Sequence, residues 1–179
     1  MNRKTVFIIP GFKQKPTSRA YKTISKILKS EGYFPVLVSI PWKKSTISEN
    51  TEFFLKKYKK IDTKKKYILG FSFGAMIAFL ASTKVRTAGL ILCSLSPYFK
   101  EDISSSPLRC TTLAKQTKAK QIHLLYGTRE TKSLITRVTD AFDNINSTRK
   151  YLIPIQKTEH NIGDKRYLRT ILQATRDLH

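Results

Sequence analysis

The chain has 179 residues, 40% of them hydrophobic and 11% aromatic, and a formal net charge of +22. This length and apolar content exclude a disordered chain and fit one domain that buries its own core without staples. The charge invites a nucleic-acid or anionic-membrane reading, but 24 of the 34 cationic residues are lysines scattered along the whole chain, whereas base readout and planar phosphate clamps favour arginine.

Thr5–Pro10 (TVFIIP) reads as a first, buried strand; its apolar run is too short for the core of a secretion signal. Thr17 or Ser18 can cap a helix running to Ser30, with Tyr21, Ile24, Ile27 and Leu28 on one face and Gly32 as its stop. Phe34–Ile40 is a second strand, ended by Pro41, and Ser48 begins a helix with Phe53, Phe54, Leu55 and Tyr58 inside. Tyr67–Gly70 is a third strand, Gly74–Thr83 an apolar helix and Ala88–Leu95 a fourth strand. Residues 97–119 show no periodicity and are expected to form a short lid-like segment. Gln121–Tyr126 is a fifth strand, Ser133–Phe142 a helix, Tyr151–Ile155 a sixth strand and Asp164–Leu178 a closing helix.

Strands apolar on both faces and alternating with helices predict a three-layer α/β/α sandwich around a mainly parallel, six-stranded sheet. Ligands of such sheets bind beyond the carboxyl ends of the strands, so each loop that follows a strand is a candidate site loop. No run approaches the roughly 20 apolar residues that span a bilayer. Cys93 and Cys110 have no metal-ligand spacing and are too few for a disulfide framework, so the expected setting is the reducing cytoplasm.

The third strand leads into Gly70-Phe71-Ser72-Phe73-Gly74. A tight strand-to-helix turn there lifts Ser72 above the sheet edge, and the glycines two positions either side avoid collision with neighbouring backbone. Serine becomes an effective nucleophile when a base takes its proton. Of three histidines, His123 lies within the fifth strand and His179 is the last residue, which leaves His160 in the loop after the sixth strand. The acid that orients this base is Glu130, in the loop after the fifth strand, or alternatively Asp102, after the fourth, with Glu101 beside it. The backbone N–H of Phe73 and that of Phe12, in the loop Pro10-Gly11-Phe12, are candidate donors to a developing oxyanion.

Together these residues resemble the α/β-hydrolase superfamily. The Gly70–Gly74 motif matches its nucleophile elbow, the order Ser72…Glu130…His160 matches its triad order, and Pro10-Gly11-Phe12 looks like its oxyanion loop with proline in place of histidine. The resemblance covers residues 5–178 and implies a minimal fold without the first two antiparallel strands. It is fainter to the short, cap-less retinoblastoma-binding-type serine hydrolases. It implies a serine hydrolase of carboxylesterase type, acting on an ester, thioester or related acyl bond through an acyl-enzyme, with no cofactor and no metal. Glutamate stands where aspartate is more usual in the superfamily. The alternative is a catalytically silent protein on this fold that engages nucleic acid or membrane through its basic surface.

Charge adds one expectation. Lys13, Lys15, Lys43, Lys44, Arg129 and Lys157 lie in carboxyl-end loops and would form a positive rim for anionic small-molecule acyl substrates. Lys56, Lys57, Lys59, Lys60 and Lys64–Lys66 cluster ahead of the third strand, on the opposite side of the sheet.

Overall fold

The computed structural model describes residues 3–42, 46–95 and 108–178. Six strands and six helices alternate along it: β1 (Lys4–Ile9), α1 (Arg19–Ser30), β2 (Tyr33–Leu37), α2 (Ile47–Lys60), β3 (Lys65–Phe71), α3 (Phe73–Lys84), β4 (Gly89–Cys93), α4 (Leu108–Lys115), β5 (Ile122–Gly127), α5 (Lys132–Asn144), β6 (Lys150–Ile155) and α6 (Lys165–Arg176). All strand pairs are parallel and the sheet order is β2-β1-β3-β4-β5-β6.

Successive side chains of a strand face opposite sides of the sheet, and both sides here are apolar. Phe7, Ile68, Leu92 and Leu124 pack with α2, α3, α4 and α5 on one face. Val6, Leu69, Ile91 and Leu125 pack with α1 and α6 on the other. The charge pattern of the helices follows from this layering: α1 and α6 turn one apolar stripe inward, whereas α3 is apolar nearly all round and buried from Gly74 to Phe79. No helix of the described residues is long and apolar enough to cross a membrane.

Differences from the sequence expectation are local. α2 starts one residue earlier, at Ile47, because Thr46 and Glu49 form a reciprocal capping box. β2 stops at Leu37 and tolerates Pro35 because it is the edge strand of the sheet. β4 stops at Cys93 because Ser94 turns the backbone to φ 49°. Within the segment expected to be lid-like, Leu108–Lys115 forms α4, which packs against α5 and α3 and buries Ala114. Residues 97–107 of that segment lie outside the described residues.

Candidate active site

The chain order places the site. From β1 the backbone leaves toward α1 on one face, and from the adjacent β3 it leaves toward α3 on the other. The two loops therefore diverge at the carboxyl edge and open a crevice between them.

Ser72 sits on the β3 side of that crevice. It joins Phe71, the last residue of β3, to Phe73, the first of α3, with φ 55° and ψ −120°. A positive φ is costly for a residue with a Cβ. The turn is held by Ser72 N–H donating to the Cys93 carbonyl (2.9 Å), and by Ala75 and Met76 N–H donating to the Ser72 carbonyl at 3.0 and 3.1 Å. A Cβ on Gly70 would lie 2.3 Å from the Gly74 carbonyl oxygen, and one on Gly74 would lie 2.2 Å from that of Ile9. The absent side chains thus let the end of β1 close directly onto the start of α3. Ser72 is 8% exposed.

His160 comes from the loop between β6 and α6. Its Nε2 is 2.9 Å from Ser72 Oγ, and its Nδ1 is 3.4 Å from Glu130 Oε2. The imidazole packs on the Phe71 ring. Glu130 belongs to a tight turn after β5, closed by its N–H donating to the Gly127 carbonyl at 3.1 Å. That turn is stitched to the His160 loop: Arg129 N–H donates to the Thr158 carbonyl (2.9 Å) and Lys157 N–H to Thr128 Oγ1 (3.0 Å). The relative position of Glu130 and His160 is therefore set by backbone.

The Glu130 side chain is 1% exposed against 42% for His160. Its Oε1 accepts from Ser94 Oγ at 2.5 Å, Tyr167 Oη at 3.1 Å and Gly127 N–H at 3.2 Å. Burial pushes its carboxyl pKa up, but bonds from His160, Ser94 and Gly127 outweigh this and hold it below the ordinary value. Burial pushes the Tyr167 hydroxyl up, so it stays a neutral donor.

On the β1 side, Gly11 N–H is shared between Tyr21 Oη (3.0 Å) and Gln14 Oε1 (3.2 Å), and the Tyr21 hydroxyl also donates to Gln14. This clamp fixes the loop that presents Phe12. The Phe12 ring meets Trp42 at 5.4 Å and Phe73 at 5.5 Å, both edge-on, so both candidate oxyanion donors border one aromatic cluster. Phe73 is the first residue of α3, at the positive end of its dipole.

Sequence reasoning did not single out Ser94, Gln14, or the polar roles of Tyr21 and Tyr167. Both tyrosines read as members of apolar helix faces. The usable signal is that a buried tyrosine hydroxyl must find a partner.

Other candidates fall elsewhere. His123 is buried in β5, stacked on Tyr151 at 4.8 Å. Burial lowers its pKa to about 4, so it is a neutral sheet residue at pH 7, as its position in the strand suggests. Asp102, Glu101 and His179 lie outside the described residues, as do Lys43 and Lys44 of the expected rim. Glu130 is the carboxylate that meets His160 among the described residues. Lys13, Lys15, Arg129 and Lys157 are exposed in loops after β1, β5 and β6. Cys93 is fully buried, which pushes its thiol pKa up. No group of three or more His, Cys, Asp or Glu among the described residues is placed to hold a metal ion.

Sheet order and the elbow at its carboxyl edge define an α/β-hydrolase fold, and comparison with solved structures agrees. No family model and no curated protein matches the sequence. An esterase from Pyrococcus furiosus superposes with a TM-score of 0.83 at 14% identity, over 99% of this chain and 82% of that one. A monoacylglycerol lipase from Paleococcus ferrophilus does so with a TM-score of 0.79 at 12% identity, over 98% and 95%. A dienelactone hydrolase from Anabaena variabilis gives 0.76 at 15% identity, over 98% and 85%. The chain thus has the α/β-hydrolase fold, in a form with six parallel strands.

Proposed function

We propose that this protein is a serine hydrolase that cleaves ester, thioester or related acyl bonds through an acyl-enzyme on Ser72, with carboxylesterase-type activity. The observation that carries the reading is the 2.9 Å separation of Ser72 Oγ from His160 Nε2, with the buried Glu130 carboxylate on the other ring nitrogen. Ser72 Oγ attacks the acyl carbon while His160 Nε2 takes its proton. The carbonyl oxygen gains the negative charge and is stabilised by the N–H groups of Phe73 and Phe12. Collapse of this intermediate expels the leaving group, which takes the proton from His160. Water then attacks the acyl-enzyme with His160 again as base, releasing the carboxylic acid and restoring Ser72. Glu130 holds the proton on Nδ1, so that Nε2 is the basic nitrogen in the resting state, and stabilises the imidazolium that forms.

The acyl group would lie against Phe12, Trp42 and Phe73. Lys13, Lys15, Arg129 and Lys157 favour substrates that carry a negative charge at the end remote from the scissile bond. No step calls for a metal or an organic cofactor.

Fluorophosphonate labelling tests the reading. The folded wild type should be labelled at Ser72, and Ser72→Ala should be neither labelled nor active on nitrophenyl acetate. Absence of labelling in the folded wild type, or equal labelling of Ser72→Ala, would overturn it. For the charge preference, kcat/KM for a nitrophenyl half-ester of succinate should exceed that for the neutral butyrate ester, by a factor that shrinks with salt.

A further inference from the structure

The edge of the sheet opposite Ser72 carries a second concave feature. At the amino ends of β1, β3, β4 and β5 lies a cavity of about 600 Å³, and seven of its eleven lining residues are lysine or arginine, with no carboxylate among them. Strands of this length separate it from the carboxyl edge by about 20 Å.

Part of the positive charge has a structural partner. Lys66 Nζ donates to the Tyr58 carbonyl (2.9 Å) in the last turn of α2, where a cation offsets the helix dipole. Arg3 lies 3.1 Å over the Phe34 ring and Lys4 5.3 Å over that of Tyr33. Lys64, Lys65, Arg86 and Lys120 differ. None of these four side chains has a hydrogen-bond or ion-pair partner among the described residues. They come from three junctions, α2–β3, α3–β4 and α4–β5, and surround one concavity, which concentrates their field. Asp62 is the carboxylate within electrostatic reach, acting on Lys66, and it does not line the cavity.

A hydroxyl in the wall points the same way. Thr63 Oγ1 is buried without a hydrogen-bond partner among the described residues, and Thr63 lines the cavity. A buried, unsatisfied hydroxyl costs free energy unless something accepts its proton. This oxygen has no accessible surface, and rotation of the Thr63 side chain would bring it to an anion held by the surrounding cations.

We propose that this cavity is a binding site for a compact anion with two or more phosphoryl groups, inorganic or esterified. Lysine suits that role because it contacts phosphate as a point charge, without the base readout that would demand arginine. The site is independent of the hydrolase reading, since no residue is shared with the Ser72 crevice.

Calorimetric titration of the full chain with inorganic tripolyphosphate, at about 150 mM salt, tests the proposal. Saturable binding of one anion per chain is expected. Lys65→Glu/Arg86→Glu should weaken it at least about tenfold. Lys22→Glu/Lys26→Glu makes the same change in net charge on exposed α1 positions and should change affinity less than about twofold. All four positions are exposed, so folding is retained, and circular dichroism spectra and thermal melts of both double variants that match the wild type would verify this. A nucleoside triphosphate in place of tripolyphosphate separates the sources. Equal affinity assigns recognition to the phosphoryl chain, and tighter binding shows that an esterified form is preferred; either supports the site. No saturable binding, or equal weakening in the two double variants, would overturn it. So would a single-stranded oligodeoxynucleotide that binds where tripolyphosphate does not, which would assign the cavity to nucleic acid.

Discussion

The Phe71 ring packs against the imidazole of His160, with centroids 4.8 Å apart and planes at 35°. Phe71 stands between Gly70 and Ser72, so the residue next to the candidate nucleophile buttresses the candidate base from beneath. It is 1% exposed, and it also meets Tyr167 edge-on at 6.2 Å. One aromatic ring thereby links His160 to the helix that steadies Glu130. Phe71→Leu keeps the volume apolar but removes the flat support. Its kcat on an activated ester should fall about ten- to a hundredfold with KM little changed, while stability drops by only about 1–2 kcal/mol. Steady-state kinetics beside a thermal melt checks the split.

Glu130→Gln retains shape but replaces a charged acceptor with an amide that can also donate. The wrong tautomer of His160 is then favoured, and kcat should fall by about three to four orders of magnitude. Rates on nitrophenyl esters across pH measure this.

Ser94→Ala acts on the same carboxylate through stability. The native pKa of Glu130 is held below its ordinary value of 4.5, partly by Ser94. A depressed carboxyl pKa stabilises the fold above the unfolded value, and that stability is lost as pH falls through the native one. Removing Ser94 Oγ lets the pKa rise, so Ser94→Ala should be less stable by about 2 kcal/mol at pH 7. The gap should narrow progressively as pH falls below 4.5, as chemical denaturation at pH 7 and at a series of lower pH values would reveal.

Gly74→Ala tests the close approach of β1 to α3. The new methyl would meet the Ile9 and Pro10 carbonyl oxygens at 2.2 and 2.4 Å. Backbone rather than side chain must give way, so the loss should be at least about 3 kcal/mol. Activity should fall in parallel, because the displaced loop presents Phe12. Urea unfolding and ester hydrolysis on one preparation would show both.

His123 makes a prediction of the same pH sense, in a higher pH window. Burial chiefly, with Arg149, lowers its pKa from 6.5 to about 4, against the raising influence of Asp177. The unfolded chain binds the proton first, so native stability falls as pH drops from 6.5 to 4 and levels off below. The loss reaches about 3 kcal/mol. His123→Leu should remove that slope. It should cost little at neutral pH, because neither ring nitrogen has a hydrogen-bond partner among the described residues.

Much of this was legible beforehand. Short apolar runs bounded by turn residues, such as Val6–Ile9 before Pro10-Gly11 and Leu90–Cys93 after Gly89, read as strands buried on both faces, so a parallel sheet and its carboxyl-end loops followed. Gly70 and Gly74 were legible because turn sterics leave no alternative to glycine. His160 was reached by elimination, which needs only that histidines be few. α4 was not legible, because an eight-residue helix shows too little periodicity to stand out. The hydrogen bonds to Glu130 were hidden for another reason. Ser94 and Tyr167 lie 36 and 37 residues from it, and no local pattern encodes which buried hydroxyls will meet.

Tyr167, from the last helix, completes the setting of the Glu130 carboxylate, whose partner His160 lies 88 residues from Ser72. Pairings this distant in sequence form late, after closure of the intervening loops has been paid for in entropy. A partly folded chain that holds β1, β3 and the Ser72 turn without α6 would lack the contacts that bring His160 and Glu130 to Ser72. On the proposed reading, maturation of the fold would be its own safety catch, with the chemistry available only once α6 has docked and the sheet is complete.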